Sequence, residues 1–268
     1  MLKKLSFIFL ISLFVFSFAG CSQTNSSDAA TNQEAVAENE ITLTVYSGAG
    51  LSKPVEEIGK LFEEKTGIKI SYIFGGSAQL NNQILLTQKG DIYIPGDIAE
   101  QKPLEEKNLI LDSKDMVYHI PILVVQKDNP KQIQSLNDLQ KEGLKIALGD
   151  PEANPIGKVS DKLLEKHGLL EAVSKNVVVR TATASELVLY VSEKQTDAAI
   201  IWNENYDPAK DKMDKVVIPE LKDFVKTVPI TVLQMTEQPD AAKQFYDFMS
   251  QPEAIQIWEK WGYQTVTH

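Results

Sequence analysis

The sequence predicts an α/β fold with two lobes of similar size. From residue 41 onward, short β-branched segments alternate with amphipathic helical segments, and a second alternation of the same kind begins after Pro130. Such an alternation is typical of a largely parallel sheet covered by helices. We find no repeat of roughly 20 to 50 residues, which favours two similar lobes over a solenoid.

The first alternation contains a helix with clear start and end signals. Ser52 and Pro54 stand where a helix begins, acidic residues follow in the first turn, and Gly67 marks the end. The predicted elements of this half are strands at 42–47, 68–74 and 91–94, a helix that ends before Gly67, a helix at 78–87, and a short helix interrupted at Pro103.

The second alternation follows a strongly β-like segment at 118–126. Its predicted elements are strands at 145–148, 177–180, 198–202 and 228–234, helices that begin at Pro155 and Ala184, and a helical pair at 239–262 broken at Pro252. We expect the segments near 118–126 and 228–234 to join the lobes. Lobe 1 then comprises residues 41–119 and 232–268, and lobe 2, with the joining strands, residues 120–231.

Residues 1–20 have the pattern of a lipoprotein signal peptide. Lys3 and Lys4 precede an apolar run at 5–19, which is shorter than the ~20 residues of a membrane-spanning helix. Two small residues then precede Cys21, the only cysteine. We expect acylated Cys21 to anchor the protein to the outer face of the cell membrane, or to the periplasmic face in a Gram-negative cell. The alternative is an ordinary secretory signal with an incidental cysteine.

Residues 21–40 continue from the predicted anchor as a polar segment. After Cys21 the segment is rich in Ser, Asn, Gln, Thr, Ala and Glu and contains no aromatic residue, so we expect it to be a disordered tether. The whole chain of 268 residues has 43% hydrophobic residues, 24% charged residues and a net charge of −10. This balance is ordinary for a globular protein and argues against a nucleic-acid partner, which requires clustered cations.

The sequence contains none of the common catalytic motifs that we searched for. There is no nucleophile elbow, no phosphate-binding P-loop, no His-Glu-x-x-His pair, and no cysteine beyond Cys21. The three histidines, His119, His167 and His268, share no metal-ligand spacing. We therefore expect neither an enzyme, nor a cofactor, nor a metal ion held directly by protein ligands.

Four short loops, each rich in small residues, lie between a predicted strand and a predicted helix. In open α/β sheets ligands bind at the carboxyl ends of the strands. The unpaired N–H groups of helix N-termini bind anions there without a full positive charge. The alternative is that Ser52, Ser77 and Ser185 only cap their helices and the glycines only form turns. We call these loops the first to fourth loops; they are residues 47–50, 75–77, 154–157 and 181–185.

Several segments resemble the molybdate- and tungstate-binding proteins of ABC importers. They are residues 43–52 (LTVYSGAGLS), 74–78 (FGGSA) and 147–157 (ALGDPEANPIG), and the similarity covers almost all of residues 41–268. The resemblance implies a two-lobed, periplasmic-binding-protein-like fold of type II, with a ligand cleft between the lobes. It also implies an importer permease as partner, and we expect a monomer.

The resemblance further implies which residues hold the anion. Ser77 matches a serine of the family pattern in the second loop. Gly50 stands at the position of the first-loop serine, so that donor must come from Ser47, Ser52 or backbone amides. Amides of the third and fourth loops contribute, and Trp202 replaces a tyrosine, with its indole N–H as the donor. The candidate ligand-binding residues are Ser47, Gly48, Gly50, Gly76, Ser77, Ile156, Ala184, Ser185 and Trp202.

A cleft lined only by N–H and O–H donors favours a fully deprotonated dianion, because a remaining proton would meet no acceptor. The expected ligand is molybdate or tungstate, with sulfate-like or other small anions as alternatives. A ferric-iron-binding protein of the same fold is the nearest rival, although Tyr190 and Tyr206 are isolated and Asp97 and Glu204 are only candidate ligands. A surface sensor or an enzyme on this scaffold is a further alternative.

Overall fold

The computed structural model describes residues 40–266. The predicted signal peptide, Cys21, most of the predicted tether and His268 lie outside the described residues. Within them, no helix is long and apolar enough to cross a membrane. The strands, numbered in chain order, are β1 Thr42–Gly48, β2 Lys69–Gly75, β3 Ile92–Ile94, β4 Ile110–His119, β5 Pro121–Gln126, β6 Ile146–Gly149, β7 Val177–Thr181, β8 Ala198–Trp202, β9 Met213–Val216, β10 Lys226–Leu233 and β11 Gln264–Thr265. The α-helices are α1 Ser52–Thr66, α2 Ser77–Thr87, α3 Lys102–Glu105, α4 Pro155–Lys166, α5 Leu170–Ser174, α6 Ala184–Ser192, α7 Pro239–Phe248 and α8 Pro252–Lys260.

The first lobe is built on a six-stranded sheet with the order β11-β4-β10-β3-β1-β2. β1 pairs in parallel with both β2 and β3, so that Ser47 near its end lies opposite Phe74 on one side and Ile94 on the other. β10 is antiparallel to both β3 and β4, and β4 therefore runs in the same direction as β1 to β3. The carboxyl ends of these four strands lie at one edge of the sheet.

The second lobe is built on a five-stranded sheet with the order β7-β6-β8-β5-β9. β6 pairs in parallel with β7 and β8, and β5 runs antiparallel to β8 and β9. The two sheets and their covering helices confirm the α/β fold predicted from the alternating pattern. Each lobe repeats the same arrangement: three parallel strands form one end of the sheet, and strands paired antiparallel extend the other end.

Two short crossovers join the lobes. The β-like segment at 118–126 is divided: β4 ends at His119 in the first sheet and β5 begins at Pro121 in the second. A proline donates no N–H to a ladder, which suits the first residue of a strand. The chain returns at Lys226, and all of β10 pairs with β4 in the first sheet. The lobe boundary expected between residues 231 and 232 thus falls inside β10, and the topology places it before Lys226.

Each lobe has its own hydrophobic core. In the first lobe, one face of the sheet is covered by α1, α7 and α8, where the Phe62 and Phe245 rings meet edge to face at 5.1 Å. The other face carries Leu80, Ile84 and Leu104. The core of the second lobe surrounds β5, β6 and β8, all residues of which except Ile122 and Gln126 of β5 are buried. Packing of this kind makes each sheet a rigid platform for the loops at its edge.

The connection from β6 to α4 depends on a contact between two glycines. A Cβ on Gly157 would lie 2.5 Å from the Gly149 carbonyl oxygen, so no side chain fits there without a backbone shift. Arg180, the only arginine of the chain, donates to the same carbonyl oxygen at 3.0 Å. Its guanidinium group also forms a bidentate ion pair with Asp161 of α4. The start of α4 is thereby fixed against the ends of β6 and β7.

We predict that Gly157→Ala lowers the free energy of unfolding by about 1 to 3 kcal/mol, the usual cost of forcing an extra methyl into a packed site. Gly50→Ala is the matched control, because a Cβ at Gly50 meets no atom within 4 Å. Guanidinium denaturation followed by circular dichroism measures both variants. Equal midpoints for Gly157→Ala and the parent protein would contradict the proposed role of the glycine contact.

Candidate functional site

The carboxyl edges of the two sheets adjoin each other at the crossovers. β4 reaches its carboxyl end at His119, and after one residue Pro121 pairs with Trp202, the last residue of β8. The returning strand starts at the same place, because Lys226 pairs with His119. The loops that follow β1, β2 and β3 therefore lie at an edge that continues directly into the edge formed by the ends of β6, β7 and β8. This is the ligand position expected for open α/β sheets.

The first loop supplies a buried hydroxyl and an exposed glycine. Ser47 is fully buried, and its Oγ has no hydrogen-bond partner in the described part of the chain. Gly48 is buried as well, whereas Gly50 is exposed and its carbonyl oxygen accepts a hydrogen bond from the Tyr263 hydroxyl at 3.2 Å. Leu51 then leads into α1, and the prediction of acidic residues in the first turn of this helix was wrong, because α1 begins at Ser52 and Glu56 and Glu57 fall in the next turn. The buried Ser47 hydroxyl is therefore shielded from solvent, and its role as an anion donor stays a prediction.

The second loop leaves the N-terminus of α2 open. Gly76 is the N-cap residue, no side chain caps the helix, and its first turn contains no acidic residue. Ser77 is the first helical residue, so it is not the cap; its Oγ instead accepts the N–H of Gly96, in the loop after β3, at 3.3 Å. The Ser77 proton and the first amides of α2 have no acceptor within the helix and are therefore suited to a bound anion.

The third loop contains a donor that the sequence interpretation missed. Asn154 caps α4, and its Oδ1 accepts the Ile156 N–H at 3.3 Å, so the amide of Ile156 is already engaged. The Asn154 side chain is buried, and its Nδ2 has no partner among the residues described. An unsatisfied buried amide costs about 1 to 3 kcal/mol unless a ligand accepts from it. The sequence did contain a signal for Asn154, because an Asn-Pro dipeptide is typical of a helix start.

The fourth loop is organised by Thr183, not by Ser185. Thr183 and Glu186 form a capping box in which each side chain accepts the backbone N–H of the other. The backbone N–H groups of Ala184 and Ser185 take no part in this capping box. Ala184 is half-buried and Ser185 is exposed. The loop is tied to the end of β6, since the Asp150 N–H donates to the carbonyl oxygen of Thr181 at 2.8 Å.

Trp202 lies at the crossover and packs against a histidine. Its ring centroid is 5.2 Å from that of His119, and its indole N–H donates to no other described residue. His119 Nδ1 in turn lies 2.5 Å from Glu204 Oε1. Trp202 thus packs against His119 at the crossover, and its role as an anion donor stays a prediction.

Carboxylates also lie beside the loops. Asp97, after β3, forms an ion pair with Lys226. Glu100 follows, and its Oε2 is buried without a partner in the described region. A Cβ placed on Gly96 would lie 3.5 Å from this oxygen and 4.0 Å from the Ser77 Oγ, so both groups border the space beside Gly96. The site contains acceptors as well as donors, which differs from the donor-only cleft expected from the sequence.

Tyr93, on β3, lies near the Glu100 carboxylate. Burial raises the pKa of the Tyr93 hydroxyl well above its ordinary value, and the charge of Glu100 raises it further, although the Ser77 hydroxyl acts in the opposite direction. The Tyr93 Oη is buried without a partner that satisfies hydrogen-bond geometry among the described residues. Tyr93 therefore remains a neutral hydroxyl in ordinary buffers.

The candidate ferric-ion ligands named from the sequence have other contacts among the described residues. No group of three or more His, Cys, Asp or Glu side chains suited to a metal ion occurs within residues 40–266. Tyr206 donates to the Met213 carbonyl oxygen at 3.3 Å, and Tyr190 packs against the core of the second lobe. Asp97 and Glu204 are engaged separately by Lys226 and His119.

Several known proteins are similar to this chain in sequence and in fold. A relative from Bacillus subtilis, YvgL, whose name describes an ABC transporter substrate-binding lipoprotein, is 29% identical over 98% of this chain and 99% of its own length. The molybdate-binding protein ModA of Rhodobacter capsulatus is 25% identical over 81% of this chain and 86% of its own. A solved structure from Clostridium difficile, described as the substrate-binding domain of a molybdenum ABC transporter, superposes with a TM-score of 0.74 at 24% identity, covering 85% of this chain and all of that one.

The family model for bacterial extracellular solute-binding proteins matches residues 43–264. This range includes all four loops and both crossovers. The match agrees with the two-lobed fold and with the resemblance noted from the sequence segments. The chain belongs to the family of bacterial extracellular solute-binding proteins.

Proposed function

We propose that this protein captures a small tetrahedral oxyanion, molybdate or tungstate, between its lobes and delivers it to the permease of an ABC importer. The observation that carries the proposal is the uncapped N-terminus of α2, with Ser77 beside it, at the edge where the two sheets adjoin. The names of the Rhodobacter and Clostridium proteins support the choice of anion. Sulfate-like anions are the second choice, because they have the tetrahedral shape and the double negative charge of molybdate and tungstate.

The donors for such an anion come from both lobes. Ser77 and the first amides of α2 contribute from lobe 1, and Asn154 Nδ2 and the amides of Ala184 and Ser185 contribute from lobe 2. Helix N-termini bind anions through these N–H groups and a partial positive charge of roughly half a unit. An anion that contacts both lobes stabilises the closed arrangement, which is the form that a permease can distinguish from the empty protein.

The proposed anchor has a simple physical purpose. A lipid on Cys21 and a polar tether hold the binding lobes close to the membrane, which raises their local concentration at the permease. The protein acts as a monomer in this scheme and performs no chemistry on the anion. No cofactor is required.

The first test is a calorimetric titration of the mature chain, starting at residue 21 and carrying Cys21→Ser to prevent acylation. Molybdate, tungstate, sulfate, phosphate and ferric citrate are added separately. We expect one molybdate or tungstate per chain, bound more tightly than sulfate or phosphate. Saturable binding of ferric ion with no heat from any oxyanion would refute the proposal.

The second test concerns Ser77. We predict that Ser77→Ala weakens molybdate binding by about 1 to 3 kcal/mol, because the anion loses a hydroxyl donor at a desolvated position. Ser71→Ala is the matched control, since Ser71 is exposed on β2 of the same lobe. Identical affinities for the two variants would show that the Ser77 hydroxyl does not contact the anion.

The third test concerns Glu100. Removing a negative charge close to a bound dianion relieves repulsion on the order of 1 kcal/mol, so we predict that Glu100→Gln tightens molybdate binding about three- to tenfold. Glu105→Gln, an exposed residue of α3, controls for the change in net charge. An affinity that is unchanged in Glu100→Gln, or that changes equally in both variants, would place the anion away from Glu100.

A further inference from the structure

The turn that follows α8 lies beside the end of β4, where the chain crosses from lobe 1 into lobe 2. The turn consists of Gly262 and Tyr263, and β11 begins directly after it, so that Gln264 pairs with the penultimate residue of β4. On the other side of β4, the returning strand starts at Lys226, which pairs with His119. The turn therefore belongs to lobe 1 and adjoins the region of both crossovers.

Two residues of lobe 2 contact this turn. Asn203, the first residue after β8, donates its side-chain amide to the Gly262 carbonyl oxygen at 2.8 Å. A Cβ on Gly262 would lie 2.9 Å from the Glu204 Cα, so the close approach leaves no room for a side chain. Glu204 Oε1 also lies 2.5 Å from Nδ1 of His119 in lobe 1. The segment after β8 is thus held against lobe 1 by noncovalent contacts.

The turn is fixed within lobe 1. The Gly262 N–H donates to the Glu259 carbonyl oxygen at 2.9 Å, and the Tyr263 N–H donates to that of Trp258 at 3.1 Å. The Tyr263 side chain is buried, with its ring centroid 5.2 Å from that of Trp258, and its hydroxyl donates to the Gly50 carbonyl oxygen at 3.2 Å. The turn therefore moves with lobe 1, and a movement of lobe 2 changes the contacts between them.

Asn203 is fixed within lobe 2 in a similar way. Its Oδ1 accepts a hydrogen bond from Nζ of Lys215 on β9 at 2.7 Å, and this Nζ lies 4.1 Å from the ring centroid of Tyr206. The backbone N–H of Asn203 donates to the carbonyl oxygen of Ile120, in the crossover, at 2.8 Å. The two ends of the side-chain amide are thus engaged on different lobes, the oxygen on lobe 2 and the nitrogen on lobe 1.

We infer that Asn203 and the Gly262 turn form a third, noncovalent joint between the lobes, which restrains the angle between them. Two single-chain crossovers leave the lobes free to rotate about the line that connects the crossovers. The hydrogen bond and the close backbone contact oppose this rotation, because each partner is held by its own lobe. The inference concerns the protein without a ligand and goes beyond the proposed function.

Spin labels on the two lobes test the joint, because they report the distribution of distances between the lobes. Cys21 is the only cysteine, so the Cys21→Ser mature chain accepts labels at Lys60→Cys in α1 and Lys162→Cys in α4, which are exposed positions. Without any anion, Asn203→Ala should raise the fraction of molecules outside the parent's main distance peak about three- to tenfold, the factor that one hydrogen bond contributes. Asn176→Ala is the matched control, because its side-chain amide donates to two backbone carbonyl oxygens within lobe 2.

A second pair of variants tests the close backbone contact. Gly262→Ala and Gly67→Ala both place a Cβ on a left-handed glycine that follows a helix of lobe 1, with φ values of +83° and +76°, so both bear similar backbone strain. The Cβ at Gly262 meets Glu204 of lobe 2, whereas the Cβ at Gly67 meets no atom within 4 Å. Gly262→Ala should therefore shift or broaden the distance distribution, and Gly67→Ala should only lower the thermal stability.

Equal distance distributions in Asn203→Ala and Asn176→Ala would overturn the inference, and so would equal distributions in Gly262→Ala and Gly67→Ala. If Gly262→Ala does not fold, the comparison at Asn203 decides alone. Because all distributions are recorded without an anion, a failure of every oxyanion to bind refutes the proposed function and leaves the joint standing.

Discussion

The direction of the strands at the two crossovers is the constraint on which the rest of the structure depends. β4 and β1 to β3 all end at one edge, and the chain leaves that edge at His119 to enter the second sheet beside the end of β8. If β4 ran the other way, the crossover would start from the opposite edge, and the helix-opening loops of the two lobes would not adjoin. The position of the candidate site is therefore a property of topology, and the loop residues determine only which ligand it holds.

Buried polar groups without partners mark both sides of this position. Ser47 Oγ and Tyr93 Oη lie in the first lobe and Asn154 Nδ2 in the second, all near the ends of parallel strands. Each such group costs about 1 to 3 kcal/mol in the absence of an acceptor. Trp258 Nε1 and Thr196 Oγ1 are also unpartnered but belong to other regions, so an unpartnered atom alone does not identify a site. Ser47, Tyr93 and Asn154 are distinguished by their position on or just after strands that lead into helices.

The sequence predicted the parts of this arrangement that have local patterns. Alternating β-branched and amphipathic segments predicted the parallel strands of each sheet, and the Gly-Gly-Ser turn predicted a helix from residue 78, one residue after the observed start of α2 at Ser77. The lobe boundary expected after residue 119 coincides with the end of β4, whereas the one expected after residue 231 falls inside β10, because a continuous apolar run does not reveal which sheet it joins. The contact of Tyr263 with Gly50 was missed for a similar reason: the residues are 213 positions apart, and neither carries a local signal.

The carboxylates beside the loops explain how an acidic protein can select its anion. A single helix N-terminus supplies only a partial charge, and near Glu100 and Asp97 the repulsion offsets much of it. Lys226 is already paired with Asp97 and is not free to attract anions of every kind. Under the proposed function, net binding therefore requires several donors from both lobes to engage one ligand together. Chloride offers these donors a single small acceptor, whereas a tetrahedral oxyanion presents four oxygens. The local negative charge thus contributes to selectivity, because it raises the number of simultaneous hydrogen bonds that a ligand needs.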